Sequence, residues 1–234
     1  MIAPVPPPAE EEELGGRRRR VVRVGDVIRV PVHGRSGYVA ELLNHLEQAG
    51  FHGAPRWLGR TEDGHDLLTY IEGSVPDDPP YDLDDDQLVA AADLVRRFHD
   101  AAAGSRFCGG RETVCHGDLG PHNTVFREGR PIAIIDWDAD VGPGSRAVDF
   151  ADAVWGFADL TCDSVPVVEQ ARRVALMCTA YVGMSPEVVV SELIAQFQRA
   201  RRNHLAAGRP GPQAVFEDLI AWMNRYGPII AASR

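Results

Sequence analysis

Two short stretches carry side chains that could do chemistry together: His116-Gly117-Asp118-Leu119-Gly120-Pro121-His122-Asn123, and Ile134-Ile135-Asp136-Trp137-Asp138. A loop between short strands would present Asp118 and Asn123, and the next strand would end at Asp136. The hairpin between them folds that strand end back beside the loop, so two carboxylates and an amide oxygen converge. Hard oxygen donors of this kind suit Mg²⁺, which keeps some of its waters and is completed by substrate phosphates. Asp118 is then placed to accept a proton from an attacking hydroxyl. A base Asp, a metal-binding Asn and a metal-binding Asp form the division of labour of phosphoryl transfer. An isolated Asp-x-x-x-x-Asn is common in loops, where the Asp would be a cap or turn residue. The joint occurrence with the second stretch favours the chemical reading.

The elements that must hold these loops can be read from periodicity and turn signals. Segments 21–24 and 27–30 are predicted strands around a Gly25-Asp26 turn. Ser36 is the expected N-cap of a helix over 36–48, with Val39, Leu42, Leu43 and Leu46 on one face. A second hairpin follows, 57–61 and 66–71 around Glu62-Asp63-Gly64, and then an acidic, proline-rich linker over 75–86. Downstream, helices are expected over 84–103, 147–159, 167–181, 186–207 and 213–226. Short strands are expected at 113–115, 124–127 and 132–135. The chain thus divides into a mobile acidic, proline-rich lead (1–13), a small N-terminal lobe (14–73) and a larger, mainly helical lobe (74–234).

Composition excludes several classes. The 234 residues are 44% hydrophobic and 25% charged, ordinary for a globular protein. The formal net charge of -10 argues against nucleic acid or an anionic membrane as the main partner and suits a cationic small molecule. Every basic residue is arginine, which rules out Schiff-base lysine chemistry and a Walker A loop. Cys108, Cys115, Cys162 and Cys178 have no zinc-ligand spacing and read as reduced thiols. The first residues lack the basic and apolar regions of a secretory signal, so a cytoplasmic protein is expected.

H-G-D-x-x-x-x-N followed by I-D-W-D resembles the aminoglycoside phosphotransferase family of small-molecule kinases. These are relatives of the protein kinases, whose catalytic loop has the same Asp-to-Asn spacing. Arg97-Phe98-His99 and the tract from Gly142 to Ala151 are similar to that family as well. The resemblance implies an α+β, protein-kinase-like two-lobe fold and transfer of the γ-phosphate of ATP or GTP to a hydroxyl of a small molecule, an aminoglycoside being one candidate. It implies that Asp118 is the catalytic base or hydroxyl-orienting group and that Asn123 and Asp136 hold Mg²⁺. His116 would brace the loop and Asp149 would hydrogen-bond the catalytic segment. Tyr70 and Ile71 would sit where a hinge offers backbone groups to a purine.

The N-terminal lobe departs from the pattern. With no lysine, Arg29 is the expected cation for the nucleotide's phosphates; Arg is bidentate and permanently charged but differs from Lys in reach. Glu41 should face solvent and Glu47 lies late in the helix, so Arg29 has no clear helix carboxylate. Only Gly15-Gly16 stands in for a glycine-rich cover. His122 could touch substrate or metal, or brace the loop; Asp138 and Asp140 could assist the metal, bind a cationic acceptor or be solvated. Trp137, Trp155 and Trp222 read as packing residues, and the runs 17–20 and 199–202 as solvated basic faces. The rival from another class is a non-catalytic, kinase-like binding or regulatory protein. A metal-dependent hydrolase using Asp118, Asp136 and Asp138 is a third reading.

Overall fold

The computed structural model describes residues 11–14, 21–138 and 140–234. Gly15-Gly16 and the basic run 17–20 lie outside the described residues, as does most of the acidic lead. The N-terminal lobe is built from β1 (Glu11–Leu14), β2 (Val21–Val24), β3 (Val27–Pro31), α1 (Ser36–Gln48), β4 (Trp57–Arg60) and β5 (His65–Thr69). Its antiparallel sheet has the order β1-β2-β3-β5-β4. One expectation is corrected here: the lead ends earlier, because Glu11–Leu14 is an edge strand paired with β2. Glu12 lies directly opposite Arg23 and approaches it at 3.5 Å. A cross-strand opposite-charge pair of this kind favours pairing, and charged residues are tolerated at a sheet edge.

The second lobe runs α2 (Asp85–Ala102), β6 (Thr113–Cys115), β7 (Thr124–Arg127), β8 (Arg130–Ile134), β9 (Gly142–Gly144), α3 (Arg146–Phe157), α4 (Val167–Tyr181), α5 (Pro186–Ala206) and α6 (Pro210–Ala231). β7 and β8 form the expected hairpin, and β6 pairs with β9. A Gly-Pro-Gly tract gives no strand signal, so β9 is visible only through its partner. Asp84 caps α2 in a capping box with Gln87. Ser36, by contrast, lies inside the first turn of α1. Arg35 occupies the cap position, because the Ser36 hydroxyl turns back to accept from the His33 N–H at 2.8 Å.

Val39, Leu42, Leu43 and Leu46 of α1 are buried as the periodicity requires, as are Leu88, Ala92, Val95, Phe98 and His99 of α2. These two faces belong to one core that continues into α3, α4 and α5, so the lobes share a single apolar interior. Polar contacts reinforce the junction. Ser74 and Phe126 exchange backbone hydrogen bonds at 2.7 and 2.8 Å, Tyr38 donates to the Phe107 carbonyl at 2.9 Å, and the Ile134 N–H reaches the Gly53 carbonyl at 2.8 Å. No single helix is long and apolar enough to cross a membrane.

Candidate active site

The site is assembled on three supports: the β6-to-β7 loop, the end of β8 and the first two turns of α3. Gly117 opens the loop with φ of +83°, and a Cβ there would stand 3.0 Å from the Asp140 carbonyl oxygen. Only glycine meets both demands at low cost. Residues 121–123 then form a single 3₁₀ turn that carries Asn123 into β7. The Ile135 N–H donates to the Asn123 carbonyl at 2.9 Å, so Asp136 leaves β8 directly beside Asn123. Asp136 itself has φ of +60°, an unusual conformation for a residue with a side chain, and it is exposed. The two stretches singled out in the sequence therefore meet.

Asn123 is buried, and its amide nitrogen donates to the Asp118 carbonyl at 2.8 Å and to the Asp118 carboxylate at 3.1 Å. With the nitrogen spent on Asp118, the amide oxygen is the Asn123 atom that could ligate a cation. His122 folds back to bring Nε2 3.4 Å from the other Asp118 oxygen. The hydrogen bond from His122, with a further one from the Asn123 amide, holds the Asp118 carboxyl below the usual carboxylate range, so it is ionised at neutral pH. Asp138 accepts from the Asp140 N–H at 3.0 Å and shapes the turn after Asp136.

Asp149, fully buried on α3, is the keystone. One of its oxygens accepts from the Gly117 N–H at 2.8 Å; the other accepts from the His116 N–H at 3.0 Å. The second oxygen also faces His99 Nε2 at 2.9 Å, and His99 Nδ1 meets the Tyr181 hydroxyl at 2.6 Å. In the neutral tautomer whose Nε2–H donates to the carboxylate, Nδ1 accepts from the tyrosine. The chain Tyr181–His99–Asp149–loop is buried and satisfied, which stiffens the loop. Its Tyr181 member gave no signal in the sequence, being one apolar-face residue of a regular helix. His116 is buried as well: Nε2 donates to the Ile135 carbonyl at 3.0 Å, and its ring meets Trp137 edge-on at 5.0 Å. Burial pushes the His116 pKa down, keeping it a neutral brace.

Asp152 stands one turn beyond Asp149 on the same α3 face. One turn further, Gly156 lies against the loop so closely that a Cβ would fall 2.9 Å from Pro121 Cδ. Burial, followed by the negative charges of Asp149 and Asp118, holds the Asp152 carboxyl well above its ordinary range.

Two residues expected on the nucleotide side are already engaged within the lobe. Arg29 pairs in register with Leu67, one residue out of step with Leu68, which packs on the core; alternation therefore puts Arg29 on the opposite face of the sheet. There it donates to Asp63 at 3.0 Å and lies 3.9 Å from Glu11. Glu41 and Glu47 are engaged elsewhere, with Arg106 and Arg56. The hinge position Tyr70 spends its N–H on the Asp26 carbonyl at 2.8 Å, and its ring is covered by the Arg23 guanidinium at 3.7 Å. Tyr70 thus has no N–H to offer a base.

The donor set can be tested against Mg²⁺. Among the described residues there is no cluster of three or more His, Cys, Asp or Glu side chains that could cage a metal. Asn123 and Asp136 offer one hard oxygen donor group each from adjacent segments. That is too few for a cation held by protein alone and suits Mg²⁺ shared with phosphates and water. The residues fit the ion.

The profile of the phosphotransferase enzyme family matches residues 102–176, the stretch that holds the loop, Asp136 and Asp149. The trifolitoxin immunity protein of Rhizobium leguminosarum bv. trifolii is 31% identical over 184 residues, 69% of each chain. The chain belongs to the aminoglycoside phosphotransferase family. Its fold is shared with a choline/ethanolamine kinase family protein from Mesorhizobium loti, at a TM-score of 0.57 and 16% identity, covering 94% of this chain and 92% of that one. It is also shared with an aminoglycoside phosphotransferase from Streptomyces rimosus in complex with ADP and streptomycin, at a TM-score of 0.59 and 16% identity, covering 77% and 88%. The two-lobe α+β, kinase-like architecture expected from the motifs is the one this member of the family adopts.

Proposed function

We propose that the protein transfers the γ-phosphate of ATP or GTP to a hydroxyl of a small molecule. The observation that carries this reading is the junction of Asn123 and Asp136 beside an ionised Asp118. Asp118 would receive the hydroxyl's proton and hold its oxygen in line. Asn123 and Asp136 would hold Mg²⁺, which when bound neutralises charge on the phosphates. Asp149 fixes the backbone of Gly117, and His116 fixes the end of β8, so both halves of the site are set before substrate arrives. Because the protein does little covalent work in such a transfer, positioning and charge supply most of the rate. The ADP and streptomycin held by the Streptomyces rimosus protein, and the choline or ethanolamine in the name of the Mesorhizobium loti one, support a nucleotide donor and a cationic alcohol acceptor. Net acidity is compatible with that acceptor.

Turnover of Mg-ATP and Mg-GTP, with and without a panel of amino-sugar, amino-alcohol and macrolide acceptors, tests the proposal. Asp118→Ala should lower transfer by at least about 10²-fold, the scale of a lost general base, while the melting temperature stays near that of the parent. Wild-type rates from Asp118→Ala would refute the assignment.

A second reading is favoured by one observation, the relative's name as an immunity protein. On that reading the chain protects its cell by binding a toxic compound through the kinase-like shell, without chemistry. Stoichiometric binding of a toxic compound with no Mg-dependent nucleotide turnover would select it.

A further inference from the structure

The buried chain beneath the catalytic loop has an outer end that the loop itself does not explain. Asp149 accepts from the His116 and Gly117 N–H groups, His99 lies beneath Asp149, and the Tyr181 hydroxyl closes on His99 Nδ1 at 2.6 Å. His99, Asp149 and Tyr181 come from α2, α3 and α4, and all three are buried. Tyr181 is seated by its ring, which packs on Phe150 with centroids 4.1 Å apart and meets the His99 ring edge-on at 5.9 Å. Burial pushes its hydroxyl up to about 12, so the group holds its proton across the ordinary pH range.

Beyond the hydroxyl stands Arg146, in the first turn of α3, with its guanidinium beside the Tyr181 oxygen. Arg146 is anchored in turn. Nη1 donates to Asp100 at 2.6 Å, the backbone N–H donates to Glu112 at 3.0 Å, and Nε approaches the same Glu112 side chain at 3.7 Å. A guanidinium carries donors only, so it can face nothing but the tyrosine's lone pairs. The hydroxyl proton is thereby turned away from Arg146 and toward His99 Nδ1. That nitrogen is then bare, and the ring's proton sits on Nε2, against Asp149. A doubly protonated His99 would instead set two cations on one buried tyrosine oxygen and aim the hydroxyl proton back at the guanidinium.

We propose that Tyr181, oriented by Arg146, is a positioning residue for phosphoryl transfer: it fixes the His99 proton on Nε2 and so holds the Asp149 carboxylate under the backbone of His116 and Gly117, immediately before Asp118. The inference rests on the phosphotransferase reading. Tyr181 acts only through His99. If Asp149 tilts, Gly117 moves, and with it the reach of Asp118 toward an acceptor hydroxyl; a small displacement of that kind costs rate rather than affinity.

Tyr181→Phe removes the hydroxyl and keeps the ring that packs on Phe150. Its kcat should fall about tenfold or more, with KM for nucleotide and acceptor within about twofold, because the loop is misplaced while the binding surfaces remain. Arg146→Leu should lower kcat by less, since the hydroxyl still reaches His99. Cys178→Ala, another buried change on α4, should lower the melting temperature and leave kcat within about twofold, so that lost stability alone does not imitate the effect. A readout independent of turnover is ¹⁵N NMR of the full chain, with the ring nitrogens of His99 assigned by through-bond correlation to its backbone. One protonated and one bare nitrogen are expected, and Tyr181→Phe should shift the bare one toward the position of a nitrogen without a hydrogen bond. Two protonated ring nitrogens in the unaltered chain would overturn the assignment, as would an equal fall in kcat at Cys178→Ala. If the unaltered chain transfers phosphate to no acceptor, the phosphotransferase reading fails and this role falls with it; if it does transfer and Tyr181→Phe keeps the parent's kcat, only this inference fails.

Discussion

At the scale of single residues, the chemistry depends on carboxyls whose environments differ. Asp118 is solvated and touched by donors, so it stays charged. Asp149 is buried but accepts three hydrogen bonds, which offset the cost of burying its charge. Asp152 has the burial and the repulsion without comparable donors, and its carboxyl is held well above its ordinary range. That difference sets a stability prediction with a definite sign. A carboxyl raised in the native state binds more protons folded than unfolded between the ordinary range near pH 4 and its native value. Stability therefore falls as pH rises through that window, and the penalty is complete above it. Asp152→Asn should melt higher than the parent at pH 7 to 8, the gap closing below about pH 4. Thermal unfolding across that range checks it, and a gap independent of pH would refute the account.

At the scale of elements, α3 does most to make the site, since Asp149 holds the loop's backbone and Gly156 lets the helix lie against Gly120 and Pro121. Glycine inside a helix normally costs about 0.5–1 kcal/mol relative to alanine. At Gly37 of α1, where an added methyl meets nothing within 4 Å, alanine should recover about that amount. At Gly156 the same methyl meets a proline ring at 2.9 Å and backbone at 3.3 Å. Overpacking of about 1–3 kcal/mol then outweighs the propensity gain. Gly156→Ala should therefore lower both stability and phosphoryl transfer, while Gly37→Ala raises stability. Paired urea titrations and turnover measurements separate the two, and equal effects at both positions would contradict the packing argument. The hairpins and helix faces were legible in the sequence because periods of 2.0 and 3.6 mark them directly. β1 and β9 were not, since an acidic segment and a Gly-Pro-Gly tract become strands only when a neighbour supplies the pairing.

At the scale of the whole molecule, the two lobes read from the sequence share one core. α1 belongs by sequence to the small lobe, yet its buried face joins the core of α2 and α3. Hydrogen exchange should accordingly give the most protected amides of α1 and α2 the same opening free energy; a separate, lower-energy opening of α1 would show independent lobes. The spacing of Asp118, Asn123 and Asp136, the turn signals between them and the absence of lysine were enough to fix the reaction class to test and the family to expect. Those are local properties, written in residue type and separation. Which way Arg29 points was beyond the sequence's reach. One-residue alternation in β3 sends it to the far face, where Asp63 captures it. Direction relative to a distant partner is set by packing, and only the tertiary structure decides it.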